Sequence, residues 1–497
     1  TPCARRSRCW GEGEPVPVSD RTLSESTISR LFVSRFALLG ALLLLLVAPV
    51  AEAQVLRYEA EVGATAATEE RQPFWLTANE SGRFDPSSAN AYTTLRGTLT
   101  DSLAENGFLT IGAEMLARQS ENATVFLPEV YGQIDYRFAR LRIGRKQEVL
   151  GDAYHSRLST GSMNTSRNAV PIPMITLGTA GYVDVPFTDG LFQTRARWGE
   201  GTFLTERFVE DVRLHQKYLY LRAMPGSFTV AAGLVHNAMW AGTSPAEGDL
   251  PDKPIDYWRA IYAARGGEEA PEGEQVNILG NHLGVWDFGV DYRRDDVVIS
   301  VGHQHPYEDG SSWEKWLNVP DGLYSLEVSR PRASSWLTAV RYEFLYTKNQ
   351  SGSTRPPGGD DYYTNFVYKT GWTSGGHVLG NSLFLMQDRV PTPGNVNAVS
   401  SNRFVAHHVG VQGQPLPKTE YRLLATWSRH SGNFDEPLPE PIAGWSGLLE
   451  VQTAPFSDLP IELRGAIALD TGDIYGSGTN VGFRFGVSVG DALNWGK

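Results

Sequence analysis

The residues best placed for chemistry are aromatic, and they stand in long polar stretches rather than in apolar runs. Trp240, Tyr257, Trp258, Trp313, Trp316, Tyr362 and Tyr363 lie near Glu308, Asp309, Lys315 and Arg355. Rings beside planar polar groups can stack on a ring-shaped ligand and hydrogen-bond its hydroxyls. The same rings also pack loops or anchor a chain at a membrane interface. A second group is cationic: Arg142, Arg145, Lys146 and Lys217 fall on segments that alternate polar and apolar residues. Such charges can hold or steer an anion, or they can pair with Asp135, Glu343 and Glu462 along a wall.

Other constellations are weaker. His303 and His305 are two apart and would share one face of a strand, yet a metal site needs a third ligand in the right geometry. His407 and His408 are adjacent and cannot share a face. Hydrogen bonding inside an enclosed interior is the default expectation, and no metal is expected. Glu308-Asp309-Gly310 resembles part of a calcium loop but lacks its spacing. Asp360 and Asp361, in a Gly-Pro-rich stretch, read as a solvated turn. No G-x-S-x-G elbow or phosphate-binding loop occurs, so no catalytic residue, enzyme activity or cofactor is expected.

The elements that position these residues follow from export and periodicity. Phe36 to Val50 is the one long apolar run; Arg30 and Arg35 precede it, and Ala51-Glu52-Ala53 and Gln54 follow. A basic start, an apolar centre and an A-x-A site describe a signal peptide, here over 33–53. Residues 1–32 fit no ordered element and read as a disordered, over-extended gene model, with translation starting at Val33. Both cysteines, Cys3 and Cys9, precede the cleavage site, which excludes disulfides and thiolate sites from residue 54 onward. The formal net charge of −12 gives no basic surplus for nucleic acid.

After Gln54 the dominant pattern is alternation. Val481, Phe483, Phe485, Val487 and Val489 oppose Gly482, Arg484, Gly486 and Ser488; Val340, Tyr342 and Phe344 oppose Arg341 and Glu343. A period of two with one apolar face is the strand signature. In a soluble sandwich the apolar face would point inward, whereas in an outer-membrane barrel it meets lipid and the charged face lines the lumen. Even spacing to the last residues, charge on the polar faces and aromatic strand ends favour the barrel. About eighteen segments fit, including ones near 140–149, 189–198 and 377–387. Added strands near 202–208 and 362–372 would restore alternation of long and short connections and raise the count to twenty. Both termini then lie on the periplasmic side. Residues 255–265 predict a short helix in a long loop. Pro171-Ile172-Pro173 predicts a rigid inserted loop that constricts or seals the barrel.

Several blocks resemble the capsule assembly protein Wzi family. They are Pro73 to Asn79 with Gly82; Leu158 to Ser162, running on through Ser166 to Pro173; Leu214 to Tyr218; Gly280 to Gly284; Glu308 to Ser311; Asp321 to Leu323; Asp361 to Tyr363 with Gly371-Trp372; and Asn402-Arg403 with Gly410. Their order spans the chain from about residue 57 onward. The resemblance implies an all-β fold: one large antiparallel transmembrane barrel over 54–497 in the outer membrane of a Gram-negative bacterium. It also implies a lectin-like role in holding capsular or surface polysaccharide. On that reading Trp240, Tyr257, Trp258, Trp313, Trp316, Arg355, Tyr362 and Tyr363 become polysaccharide-binding candidates, and the partners are polysaccharide and outer-membrane lipid around a monomer. Two alternatives remain open on the residues alone: a diffusion porin, and an outer-membrane hydrolase.

Overall fold

The computed structural model describes residues 54–331, 335–352, 360–387, 398–456, 458–476 and 478–495. The expected leader and Arg355 lie outside the described residues.

Alternation forces strands, and strands with two unlike faces must separate lipid from water. Eighteen antiparallel staves do this. They are β1 (Gln54–Arg71), β2 (Ser87–Ala104), β3 (Gly107–Gln119), β4 (Ala123–Tyr136), β5 (Ala139–Arg145) and β6 (Met174–Thr179, resuming at Val183–Asp184). Next come β7 (Phe192–Thr202), β8 (Arg213–Ala223), β9 (Phe228–Trp240), β10 (Asn281–Arg294), β11 (Val297–Tyr307) and β12 (Gly322–Ser329). The last six are β13 (Ala339–Tyr346), β14 (Phe404–Leu416), β15 (Thr419–Gly432), β16 (Pro437–Thr453), β17 (Ile461–Gly472) and β18 (Thr479–Trp495). β1 pairs with β18 from Val55↔Asn494 to Ala67↔Gly482, which closes the barrel. Closure leaves no sheet edge, and every backbone polar group in lipid needs such a partner.

The faces divide as the alternation predicts. On β18, Phe483 and Phe485 are 50% and 59% exposed while Arg484 is 3% exposed. Leu141, Ile143, Ile175, Leu177, Leu219, Leu221, Val451 and Ile467 likewise point outward. One outward row is aromatic across seven consecutive staves: Phe288, His303, Tyr324, Phe344, His407, Trp427 and Trp445 are successive register partners. Cross-strand pairs of this kind stabilise neighbouring strands.

The count of eighteen holds, but two of its members change. Residues 174–179 form a stave inside what was expected to be one long connection. Residues 377–387 are no stave; they contribute only the two-residue pairings Thr373–Ser374 with His377–Val378 and Leu385–Met386 with Val399–Ser401. The added strands at 202–208 and 362–372 are not strands either: β7 ends at Thr202, and 362–372 is loop. These stretches carry alternating apolar residues because they fold into the barrel and pack there, which imitates a strand's pattern. The predicted loop helix is α2 (Pro254–Ile261), shorter than expected.

The interior is filled by a plug. Its parts are α1 (Phe74–Thr77), the stretch 146–173, the turn 203–212 and the long loop 347–403 in its described parts. Trp75, Tyr154, Leu158, Met163, Tyr362, Tyr363, Trp372 and Phe384 are all within 3% exposure and share one core with wall residues such as Leu345, Phe404 and Leu424. Burying a large apolar side chain contributes roughly 1.5–3 kcal/mol, so this core accounts for much of the plug's stability. Polar groups fix its register on the wall. Glu343 accepts from Ser159 Oγ at 2.6 Å and from Thr160 N at 2.8 Å. Arg484 pairs with Glu80 at 2.7 Å and donates to Leu76 O. Gly482 is needed where α1 meets the wall: a Cβ there would lie 2.6 Å from Pro73 Cδ. Pro171-Ile172-Pro173 ends the stretch 146–173 just before β6, with Ile172 packed partly buried against the core.

Candidate functional site at the outer mouth

A cleft of about 1200 Å³ lies between the plug and the long-loop end of β1, β2, β17 and β18. Its aromatic lining is Phe74, Phe384 and Tyr475. Phe74, at the start of α1, stacks on Tyr475 with centroids 5.6 Å apart and planes at 17°. Tyr475 comes from the turn between β17 and β18, and the Arg71 guanidinium sits 5.3 Å over its ring. Asp470 Oδ2 accepts from Phe74 N at 2.8 Å and so holds α1 beneath the cleft. Glu69, Glu70, Asp85, Glu121 and Glu206 add carboxylates around the rim, against Arg71. Ring faces with carboxylate acceptors nearby suit a hydroxyl-rich ligand, and the acidic excess disfavours a polyanion.

The aromatic residues singled out in the sequence fall into three groups. Trp240, Tyr257 and Trp258 come together on the loop 241–280 and the end of β9: Trp240 and Tyr257 are 5.5 Å apart, and Tyr257 and Trp258 are 5.3 Å apart. Trp240 is buried under the Arg213 guanidinium, whereas Trp258 is 48% exposed. Trp313 stacks on Trp286 at 4.7 Å, and Trp316 on His305 at 4.3 Å, so loop 308–321 folds against the barrel's outer flank. Tyr362 and Tyr363 are fully buried in the plug. Tyr362 Oη donates to Asp321 Oδ2 at 2.8 Å, and Tyr363 Oη donates to Met163 O.

The cationic group divides as well. Arg142 faces the lumen and pairs with Glu148 at 2.5 Å; Arg197 takes the same carboxylate. Burial alone would raise Glu148, but Arg197 and Arg142 hold it down at about 2. Lys146 lies 4.4 Å over the Tyr131 ring. Arg145 donates to Leu127 O at the end of its strand. Lys217, expected in the lumen, is instead on the outward face with Leu219 and Leu221. It contacts His236 Nδ1 at 3.0 Å and donates to Ile261 O of α2. The loop 241–280 covers this part of the wall, so outward residues there meet protein rather than lipid and need not be apolar. His303 and His305 also face outward, His303 against Tyr324 of β12 and His305 against Trp316 of loop 308–321. His408 does face inward: its Nε2 donates to Leu158 O at 2.7 Å, and its Nδ1 meets the Thr426 hydroxyl at 2.8 Å. Among the described residues no cluster could hold a metal ion.

The Asp360-Asp361 stretch is not a solvated turn. Asp360 is buried and accepts from Ser351 Oγ at 2.6 Å and Ser311 Oγ at 3.1 Å. Burial pushes Asp360 and Asp321 up to about 6. Glu308 accepts from the backbone N of Asp361 at 3.0 Å, and Asp309 caps α4 (Gly310–Trp313). These acids stitch loop 308–321 to loop 347–403.

The family model described as capsule assembly protein Wzi matches residues 54–385. The chain belongs to the Wzi family. Among solved structures it is similar to Wzi of Escherichia coli, an outer-membrane protein involved in group 1 capsule assembly and a carbohydrate-binding β-barrel. That match has 14% identity and a TM-score of 0.55, over 88% of this chain and 84% of the other. Pseudomonas aeruginosa OccK5 matches at 10% identity and TM-score 0.46, over 89% of this chain and 98% of the other. OprD of the same organism matches at 9% and 0.44, over 89% and 93%. No curated protein matches the sequence. As in the Wzi fold, the barrel is an outer-membrane one, its apolar outside facing lipid.

The blocks that carry the Wzi resemblance lie mainly in the plug and where it meets the wall. Leu158, Thr160, Ser162, Asp321, Tyr362, Tyr363, Trp372 and Asn402 are all nearly inaccessible. The cleft itself escaped the sequence reading. Phe74 stands inside the first resembling block, and Tyr475 is a lone aromatic in a short Gly-rich connection. A ring in such a turn was the available signal.

Proposed function

We propose that this protein holds capsular or surface polysaccharide at the outer membrane through the cleft at its outer mouth, binding without turnover. The observation that carries the reading is the Phe74–Tyr475 stack, ringed by acceptors at the outer end of a barrel whose interior is packed. Membership of the Wzi family and the carbohydrate binding of the Escherichia coli protein support it. A diffusion porin is less well supported, because Trp75, Tyr363, Trp372 and Phe384 occupy the lumen. Trp258 and Trp316, exposed on the outer loops, extend the surface available to a long polymer. Many weak contacts along a repeating chain give avidity that no single site supplies. One chain closes the barrel, so a monomer suffices.

Deleting the gene in its host should release capsule into the medium while synthesis continues. Wild-type protein should restore attachment, and Tyr475→Ala should restore it only partly. An aromatic contact is worth ~0.5–1.5 kcal/mol beyond its area, so a glycan array should register a two- to twelve-fold loss of binding. A deletion strain that keeps a normal attached capsule would sink the proposal.

A further inference from the structure

A second cavity, of about 400 Å³, lies on the other side of α1; Ala78 borders both spaces. Its size is within the ~300–1,000 Å³ of small-molecule sites. Six arginines line it against three glutamates. Four of the arginines are committed. Arg83 and Arg96 hold Glu114, and Arg157 and Arg422 share Glu450. The other two, Arg167 and Arg464, make no ion pair among the described residues. Among the described residues the Arg167 guanidinium donates only to His155 O, at 2.7 Å. Arg464 lies in the field of Glu450, Glu80 and Glu61 without touching them.

The cavity is reachable. Glu59 and Arg96 on its wall are each 39% exposed. Arg57, next along the same inward face of β1, is exposed towards the end where staves are joined by short turns. In outer-membrane barrels that end is periplasmic. Asn79 Oδ1, also on the lining, has no partner among the described residues and could take a ligand hydroxyl.

We propose that this inner cavity is an oxyanion site, open to the periplasm, for the carboxylate of an acidic sugar or for a phosphate. Guanidinium groups grip both anions through paired N–H donors. The outer cleft, with its acidic rim, has the opposite preference, so the two spaces are separate sites with separate ligand classes. The inner site stands whether or not the outer one retains capsule.

The test is calorimetry on the full folded chain in detergent with glucuronate, glucose and inorganic phosphate at low and high salt. Glucuronate should bind, more weakly as salt rises, and glucose should not. Arg464→Gln and Arg167→Gln should each weaken binding at least tenfold. Arg464→Lys, which keeps the charge, should recover part of it, and Tyr475→Ala should leave it unchanged. A circular dichroism spectrum of intact strands will certify each variant's fold. Binding of phosphate but not glucuronate assigns the site to phosphate. Binding of neither, or binding that both glutamine variants leave intact, overturns the proposal.

Discussion

Removing the Glu343 carboxylate should undock the plug while leaving the barrel standing. Glu343 is 1% exposed on the inward face of β13. It accepts from Ser159 Oγ at 2.6 Å, Thr160 N at 2.8 Å, Thr160 Oγ1 at 2.6 Å and Arg341 Nε at 2.7 Å. In Glu343→Ala the loop donors lose their acceptor, and Arg341, also buried, keeps as ion-pair partner among the described residues only Glu327 at 3.0 Å. Breaking a buried pair by removing one partner costs about 3–5 kcal/mol. At ~1.4 kcal/mol per factor of ten, the undocked population of 156–163 should rise by two to three and a half orders of magnitude. The register of β13 with β12 and β14 runs through backbone groups, so the strands should persist. Glu343→Gln, which keeps one acceptor oxygen, should fall between. Planar-bilayer conductance is the assay: wild type should be nearly silent, and Glu343→Ala should show frequent openings with reduced near-ultraviolet circular dichroism. Open-pore conductance in the wild type, or an alanine variant as silent and as heat-stable as the parent, would refute the reasoning.

Two further predictions concern pH. Burial opposes ionisation of Glu80, but Arg484 and Arg464 outweigh it and hold the carboxyl at about 2, against an ordinary 4.5. Its folded value is depressed, so its contribution is complete above about pH 4.5 and is lost as pH falls through about 2. Tryptophan fluorescence during acid titration should show plug loosening across that window, and Glu80→Gln should lack the step. Glu274, in α3 (Glu272–Val276), is shifted the other way: burial raises it to about 7. Its proton is held more tightly in the folded state, so loop 241–280 should lose stability as pH rises from about 4.5 through 7. Hydrogen exchange at pH 6 and pH 8 should reveal this in the wild type and little of it in Glu274→Gln.

Legibility in the sequence tracked how local each property is. The lipid-facing set on β18 and the buried Arg341 and Glu343 on β13 were readable because neighbours two apart face the same medium. Residues 377–387 misled because they alternate while packing inside the barrel. The stave at 174–179 was hidden because it is short and follows the inserted prolines. Lys217, His303 and His305 sat on true strands, yet their faces were misassigned. Near the outer rim the outward wall meets folded loops, so polarity there no longer reports direction.

Of the candidate site, Phe74 lay in a recognisable block, but nothing near it in the chain named Tyr475 as its partner. Tyr362 and Tyr363 looked like ligand platforms and are packing residues, since ring chemistry is the same in either role. The chain alone therefore determined a closed wall of about eighteen two-faced strands, because each strand's alternation records the two media it divides. Only the tertiary structure decided that the lumen is filled, which rings stay open to solvent and which arginines of the inner cavity make no ion pair among the described residues. Those outcomes depend on contacts such as Glu343 with Thr160 and Phe74 with Asp470, between segments far apart in the chain, and no local period encodes them.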